Sequence, residues 1–175
     1  MVKEIIVYSD GSSSKKNNVR YGGVGVYFND YERYNVSMAM QGEIMTNSRT
    51  ELLACLVALE QCVDIIKKNK IKSCNVLLYT DSKYVINSST TWIDNWIAND
   101  WKRKVGKNYC DIAHVDVIKK IYELTKKLNV SFHHYHSHTK EPPKNDINWI
   151  HWNGNNNADE LAGRSIKLMM KTMSK

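Results

Sequence analysis

The sequence predicts an α/β or mixed α+β fold in which a mixed β-sheet is flanked by helices. Three short runs of β-branched and aromatic residues open the chain and are separated by turn signals. The apolar period then changes to alternating spacings of four and three, as in a helix. Two further strand-like runs alternate with helical patterns, so we expect a hairpin meander followed by crossover connections. That order of elements gives a mixed sheet of five strands.

The predicted strands are short and end at turn residues. The first covers residues 5–8 and is expected to stop at Asp10-Gly11-Ser12. The second and third cover residues 21–28 and 31–40, on either side of a turn at 29–30. A fourth run at 75–80 ends directly before Asp81, and a fifth covers 130–136.

The predicted helices follow apolar stripes. The longest begins near residue 47, with Thr46 or Asn47 as its cap. Its stripe is formed by Leu52, Leu56, Leu59, Val63 and Ile66. Residues 92–99 and 111–128 also have helical spacing, and a terminal helix follows from residue 158. Both prolines and many asparagines fall within 139–155, which predicts a long loop there.

Size and composition indicate one globular unit with a polyanionic partner. A chain of 175 residues is the size of one domain, so we expect a single domain over 1–175. The hydrophobic fraction of 42% and charged fraction of 25% exclude a disordered chain. Lys and Arg outnumber Asp and Glu by 25 to 18, and the resulting net charge of +7 favours partners such as nucleic acids.

The cysteine pattern and the N-terminus indicate an intracellular compartment. The four cysteines form no Cys-x-x-Cys pair, which is typical of free thiols in a reducing environment. The N-terminus lacks the apolar segment of a signal peptide, and no stretch is long enough to cross a bilayer. We therefore expect an intracellular monomer with no membrane partner.

Four carboxylates occur at the ends of predicted elements. Asp10 and Asp81 follow two strands, whereas Glu51 and Asp159 are expected in the first turns of two helices. If the strands are parallel neighbours, these side chains meet at one edge of the sheet. Converging carboxylates repel one another unless a cation neutralises them, and hard oxygen ligands suit Mg²⁺, with Mn²⁺ as a substitute. Two such ions can activate a water and stabilise the leaving oxygen in phosphodiester hydrolysis.

Each of these acids also has an ordinary explanation when it is considered alone. Aspartate after a strand is a common turn or cap residue. Glutamate in a first helical turn complements the helix dipole. Spacing and placement by themselves therefore leave both interpretations open.

The sequences around the four acids resemble the motifs of the type 1 ribonuclease H catalytic domain. They are Tyr-Ser-Asp-Gly-Ser at 8–12, Thr-Asn-Ser-Arg-Thr-Glu-Leu at 46–52, Tyr-Thr-Asp-Ser-Lys-Tyr-Val at 79–85 and Gly-Asn-Asn-Asn-Ala-Asp-Glu-Leu-Ala at 154–162. They occur in the family's order over almost the whole chain. The resemblance implies the ribonuclease H-like fold and cleavage of the RNA strand of RNA–DNA hybrids. It also implies two metal ions held by Asp10, Glu51, Asp81 and Asp159.

The resemblance extends to a basic handle, found in cellular members of the family, that grips the DNA strand. Trp92, Trp96, Trp101 and Lys102 have the spacing of that handle. Judged from the residues alone, the favoured interpretation is a tryptophan pair packed in the core beside a solvated run of charge. The resemblance therefore decides in favour of a nucleic-acid contact.

Further substrate contacts follow from the same resemblance. Thr46 and Asn108 resemble residues that hold a DNA phosphate, although Ile44 replaces a basic residue expected two positions before Thr46. Asn47, Ser48 and Asn155 fall where the family contacts the minor groove of the RNA, and Asn17 is a further candidate. Contacts to the 2′-hydroxyl distinguish RNA from DNA.

Members of the family carry a catalytic histidine in a mobile loop before the last aspartate. His138 fits by its local sequence, but 21 positions separate it from Asp159, because residues 140–152 resemble an insertion. His151 is therefore a rival. His134, His136 and His138 also alternate as if on one strand face, which leaves a transition-metal site as a minor alternative.

Two other functions compete with hydrolysis of hybrids. A non-catalytic hybrid-binding module would lack one of the carboxylates, and none is missing here. Another nuclease with the same fold is the second alternative. Exonucleases of that kind usually carry an Asp-x-Glu first motif, whereas this chain has Ser12 at the second position of that pair.

Overall fold

The structure, a computed structural model, describes residues 2–137 and 139–173. In chain order its strands and helices are β1 (Lys3–Lys16), β2 (Val19–Phe28), β3 (Val36–Gln41), α1 (Asn47–Lys68), β4 (Cys74–Thr80), α2 (Lys83–Ser89), α3 (Ile93–Ala98), β5 (Lys102–Val105), β6 (Asn108–Asp111), α4 (Val115–Thr125), β7 (Asn129–His134) and α5 (Trp149–Thr172). A 3₁₀ turn at Glu32–Tyr34 precedes β3.

Five strands form the central sheet in the order β3-β2-β1-β4-β7. The β1–β2 and β2–β3 pairs are antiparallel, whereas the β1–β4 and β4–β7 pairs are parallel. The mixed five-stranded sheet expected from the sequence is therefore confirmed. A separate antiparallel hairpin is formed by β5 and β6.

The first strand is longer than the sequence indicated. It was expected to stop at residues 10–12, but β1 continues because it pairs with β2 as far as Lys16 and Val19. Its parallel pairing with β4 ends much earlier, at Tyr8 and Tyr79. Asp10 consequently lies within a strand, just beyond the point where β4 leaves it.

The main core lies between one face of the sheet and the helices α1 and α4. Alternate strand residues such as Val7 and Val24 pack there against helix residues such as Leu52 and Ile118. Helix α5 covers the opposite face, where Tyr8 contacts the backbone at Gly154. In the described ranges, no helix combines the length and apolarity needed to cross a membrane.

Three parts of the element prediction were wrong. Residues 139–155 were expected to be a loop, but α5 already begins at Trp149, because packing against the sheet, including contact of Gly154 with the Tyr8 ring, outweighs the poor helix propensity of its asparagines. The short α2 and the β5–β6 hairpin were not predicted at all. Finally, β3 and α4 begin at Val36 and Val115, later than their apolar patterns suggested.

Candidate active site

Asp10 and Asp81 emerge at the same edge of the sheet. Tyr8 and Tyr79 are partners in the parallel β1–β4 ladder, and each aspartate lies two residues further along its chain. Side chains two apart on a strand share a face, so both carboxylates lie on the α5 side. Together with Asp159 they line one pocket. The predicted convergence of these three acids is thus observed.

The other two acids come from helices. Both were expected in a first turn, and neither lies in one. Asp159 lies ten residues after the start of α5 at Trp149. Glu51 lies in the second turn of α1, which begins at Asn47. A Cβ atom at Gly11 would overlap the backbone of Thr50 and Glu51, so the glycine lets α1 approach β1 beside Asp10.

The carboxylates perturb one another strongly. Burial, and then repulsion by Asp81 and Asp159, raises the pKa of Asp10 to about 8. A hydrogen bond of 2.8 Å from the Gly11 amide to Asp10 Oδ1 only partly offsets this. Burial likewise raises the pKa of Glu51, and Asp81 adds to the effect. A buried negative site of this kind is electrostatically suited to a cation.

Glu51 is held by two neighbours. Ser82 Oγ donates a hydrogen bond of 2.6 Å to Glu51 Oε2, and Asn47 Nδ2 donates one of 2.6 Å to Glu51 Oε1. Within residues 2–137 and 139–173, no three His, Cys, Asp or Glu side chains are grouped as the ligands of one metal ion. The oxygen-only donor set and the raised pKa of Asp10 nevertheless fit a hard divalent cation.

The comparison with known proteins decides the family. The sequence matches the RNase H family over residues 2–167. The chain belongs to the RNase H family. Members of this family are metal-dependent nucleases, so the predicted family and the predicted class of enzyme, a nucleic-acid-binding hydrolase, are both confirmed.

Individual relatives show the same similarity. The chain is 34% identical over 146 residues to a probable ribonuclease H of Acanthamoeba polyphaga mimivirus, covering 83% of this chain and 58% of that relative. It is 32% identical over 168 residues to a ribonuclease H of Chlorobium luteolum, covering 95% of this chain and 98% of that one. A crystal structure of LC9-RNase H1, a type 1 RNase H with the type 2 active-site motif, superimposes with a TM-score of 0.64 at 20% identity, covering 95% and 74% of the two chains. That likeness confirms the fold.

The start of α1 places three predicted contact residues of this RNase H chain near Glu51. Thr46 caps the helix by accepting a hydrogen bond of 3.3 Å from the Arg49 amide, and Asn47 and Ser48 occupy its first turn. His114 Nε2 lies 3.3 Å from Thr46 Oγ1. No motif singled out this histidine, because the contact joins residues 68 positions apart.

The other predicted polar contacts are scattered. Asn155 is buried and lines the carboxylate pocket. Asn17 instead lies at the exposed tip of the β1–β2 hairpin, roughly 24 Å along the strand from Asp10. Asn108 is the first residue of β6 and pairs with Val105, so it belongs to the second hairpin. The structure therefore brings only Asn155 of these three into the pocket.

The tryptophans of the predicted handle differ in how far they are buried. Trp96 is 9% exposed and belongs to the core, as the alternative interpretation held. Trp92 is 36% exposed, and its ring packs at 5.9 Å from Tyr84. Trp101 packs against Tyr122 with Lys119 over its ring. The basic residue Lys102 is exposed at the start of β5, on a projecting hairpin.

The histidines have separate structural settings. His138 lies outside the described residues, so its predicted role stays a prediction. His151 lies in the first turn of α5, with Nδ1 at 3.0 Å from the Tyr8 hydroxyl and its ring stacked on Tyr79 at 4.4 Å. Burial, and then the nearby His133, lowers the pKa of His151. These contacts fix His151 in a packed row of rings, which is unlike a histidine of a mobile loop.

The strand histidines are also engaged. His134 Nε2 lies 3.0 Å from the Asp81 carbonyl oxygen, and His133 stacks on Tyr79 at 4.8 Å. His136 lines the carboxylate pocket.

The pocket has further lining residues that the sequence analysis did not identify, namely Tyr135, Ser137, Thr139, Trp152 and Asn156. Trp152 and Asn156 lie seven and three residues before Asp159 on one helix. This helical spacing could have indicated that they share a face with Asp159.

Proposed function

We propose that this chain is an endoribonuclease that cuts the RNA strand of RNA–DNA hybrids at the pocket formed by Asp10, Asp81 and Asp159, with Glu51 beside it. The observation that carries the proposal is the convergence of these acids from separate elements. The raised pKa of Asp10 supports it, because such a site favours a cation, and a bound cation would attract a phosphate of the substrate. Family membership supports the same activity.

Two Mg²⁺ ions are the proposed cofactors, with Mn²⁺ as a substitute. The four carboxylates would hold them, since oxygen ligands are those that both ions prefer. When bound, such ions supply a polarised water and neutralise the charge that develops on the phosphate. The protein's own contribution is to hold the acids together: Gly11 anchors Asp10, and Ser82 and Asn47 anchor Glu51.

Recognition of the RNA strand is assigned to residues around the pocket. Asn155 is buried and has its side chain at the pocket wall. Asn47 and Ser48 occupy the first turn of α1, next to Glu51. Amide and hydroxyl groups at these places are suited to the 2′-hydroxyl, which distinguishes RNA from DNA.

Contact with the DNA strand is assigned to the handle. The β5–β6 hairpin carries three consecutive exposed cations, Lys102, Arg103 and Lys104, and Asn108 begins its second strand. Trp92 lies partly exposed nearby and lines one pocket with Lys102. Consecutive cations on a projecting hairpin suit a phosphate backbone, which they contact without sequence information.

A comparison of substrates tests this proposal. Purified protein is incubated with Mg²⁺ and an end-labelled RNA–DNA hybrid, beside duplex RNA, duplex DNA and single-stranded RNA of the same sequence. Internal cuts in the RNA strand of the hybrid alone are expected, and chelation of Mg²⁺ should abolish them. Cleavage of duplex DNA at an equal rate would favour another nuclease of the same fold. Tight hybrid binding without cleavage would favour a binding module.

Three broader predictions remain part of the proposal. The protein is expected to act as a monomer, to form a single domain over 1–175 and to work in a reducing intracellular compartment. Light scattering coupled to size-exclusion chromatography tests the first. A single calorimetric unfolding transition, with equal van't Hoff and calorimetric enthalpies, tests the second.

A further inference from the structure

Trp152 lines the carboxylate pocket, and the proposed function gives it no role. Its indole shares the pocket with Asp10, Asp81 and Asp159. Trp152, Asn156 and Asp159 follow one another on α5 at spacings of four and three, so they form one stripe on the same face of the helix. The indole and the carboxylate of Asp159 therefore face the same pocket.

The orientation of this indole is fixed by the segment before α5. Trp152 Nε1 donates a hydrogen bond of 3.0 Å to the Thr139 carbonyl oxygen. One turn earlier, Trp149 Nε1 donates one of 3.1 Å to Glu141 Oε1. Asp146 accepts a hydrogen bond of 2.8 Å from the Asn148 amide just before the helix starts. The segment that departs from the family's spacing is thus attached to α5 through two tryptophans.

These contacts determine what the ring can recognise. The single donor of the indole is already used by Thr139, so the ring offers a pocket ligand only its apolar faces and edges. Among the aromatic rings in the described part of the chain, none stacks on Trp152, although four rings nearby stack on one another. A half-buried ring beside a phosphate-binding pocket is suited to the π-face of a nucleobase, whatever the base.

The position along the helix indicates which nucleotide is involved. Seven residues separate Trp152 from Asp159, a rise of roughly 10 Å along α5. The ring therefore lies beside the phosphate site and not over it. A strand whose phosphate enters the carboxylate pocket would present a neighbouring nucleotide to the indole.

We propose that Trp152 is a substrate-contacting residue that packs against a nucleobase of the RNA strand beside the cleaved phosphate, without selecting its sequence. This inference rests on the proposed function, because it assumes that the RNA strand enters the pocket. The segment between β7 and α5 thereby helps to position a binding surface that α5 supplies. The hydrogen bond to Thr139 occupies the only donor of the indole and leaves its faces for the base.

Two substitutions separate this role from a merely structural one. Trp152→Phe keeps an aromatic face and loses the hydrogen bond to Thr139, whereas Trp152→Gln keeps a donor and loses the ring. For the hybrid, the phenylalanine variant is expected to keep a KM close to that of the wild type, and the glutamine variant to raise it about tenfold with a smaller change in kcat. Trp149→Gln is the matched control, since Trp149 does not line the pocket, and it should leave KM unchanged.

A substrate series tests the same contact by removing the base. Hybrids carry a single abasic ribonucleotide at successive positions beside one preferred cut. The wild type should lose affinity at one of these positions, and Trp152→Gln should lose nothing further there. If the glutamine variant fails to fold, the wild type alone can still overturn the inference, because equal sensitivity at every abasic position contradicts it.

The outcomes distinguish the inference from the function beneath it. If the wild type cleaves hybrids but both Trp152 variants have raised KM values, the indole only anchors Thr139 and the inference is overturned. Unchanged KM values in both variants, or equal sensitivity to every abasic position, would overturn it as well. If the wild type cleaves no hybrid at all, the proposed function itself fails, and this inference with it.

Discussion

Ser82 Oγ donates a hydrogen bond of 2.6 Å to Glu51 Oε2, which joins α1 to the end of β4. Ser82 directly follows Asp81, so one residue supplies a carboxylate and the next positions another. The same hydroxyl accepts a hydrogen bond of 3.2 Å from the Val85 amide and so caps α2. The serine therefore couples helix capping to the position of Glu51.

Ser82→Ala is expected to raise the Mg²⁺ concentration for half-maximal cleavage about fivefold, equivalent to a loss of roughly 1 kcal/mol. The reason is that Glu51 loses the hydrogen bond that lowers its pKa and that holds its carboxylate in place. Ser88→Ala is the matched control, because that buried hydroxyl bonds Val85 in the same helix without contacting Glu51. Titration of cleavage rate against Mg²⁺ measures both variants. Equal shifts in the two would contradict the role given to Ser82.

The raised pKa of Asp10 predicts a pH-dependent stability. Its ordinary value is 3.8, and burial with its acidic neighbours raises it to about 8. Between these values the folded protein binds more protons than the unfolded chain, so the free energy of unfolding falls as pH rises through this window. Without Mg²⁺, Asp10→Asn should therefore melt roughly 4–8 °C above the wild type at pH 8, for a difference of about 2 kcal/mol.

The same pair of proteins provides the control. At about pH 3 the two melting temperatures should converge, because this pH lies below the ordinary value of 3.8 and the wild-type carboxyl is then largely protonated in both states. Added Mg²⁺ should stabilise the wild type more than the variant at pH 8. Circular dichroism melts in a chelator and in Mg²⁺ measure this. Identical melting temperatures at pH 8 without metal would show that Asp10 is not strained by its neighbours.

Two glycines test how closely α5 approaches the sheet. A Cβ atom at Gly25 would overlap the Ala158 carbonyl oxygen, so Gly25→Ala must displace the helix that carries Asp159. We expect a loss of about 3 kcal/mol in the free energy of unfolding, together with reduced cleavage. Gly163→Ala meets no atom of the described residues within 4 Å and should instead stabilise α5 by roughly 0.5–1 kcal/mol. Urea unfolding compares them, and a neutral Gly25→Ala would contradict the close contact.

The β5–β6 hairpin is expected to supply affinity but no chemistry. Replacing Lys102, Arg103 and Lys104 with alanine should weaken hybrid binding and reduce the slope of log affinity against log salt by about 2, because phosphate contacts are lost. The value of kcat at saturating hybrid should stay close to that of the wild type. Fluorescence anisotropy across a salt series measures the slope.

A remote triple variant shows whether position matters. Lys67, Lys70 and Lys72 are exposed near the C-terminal end of α1, roughly 30 Å from its start beside the pocket. Their replacement changes the net charge by the same amount and should barely alter the salt slope. If both triple variants reduce the slope equally, the hairpin is not the specific DNA contact.

The local sequence predicted the parts of the site that depend on strand ends and family motifs. Asp10 and Asp81 could be placed at one sheet edge because short β-branched runs precede both, and the parallel β1–β4 pairing places them there. The course of α5 could not be predicted. Asn153, Gly154 and Asn155 disfavour a helix locally, and the packing of α5 against the sheet, including the contact of Gly154 with the Tyr8 ring, offsets this preference.

Contacts between residues far apart in the chain could not be predicted from sequence patterns either. The row of stacked rings formed by Tyr8, Tyr79, His133 and His151 depends on strand register and on the position of α5. The local sequence around these residues did not indicate that they pack together. His151 was considered as a loop histidine because of the long spacing between His138 and Asp159. The hydrophobic pattern indicates which face of the sheet a strand residue occupies, but it does not indicate which strands are neighbours, so the sequence alone could not identify these ring pairs.

The most direct test of the central claim is single-turnover cleavage of an end-labelled RNA–DNA hybrid by the wild type and by Asp10→Asn, both in Mg²⁺. Internal cuts in the RNA strand are expected with the wild type. None is expected with the variant, which should still fold and still bind the hybrid. Undiminished Mg²⁺-dependent cleavage by Asp10→Asn would show that the reaction does not occur at this carboxylate pocket.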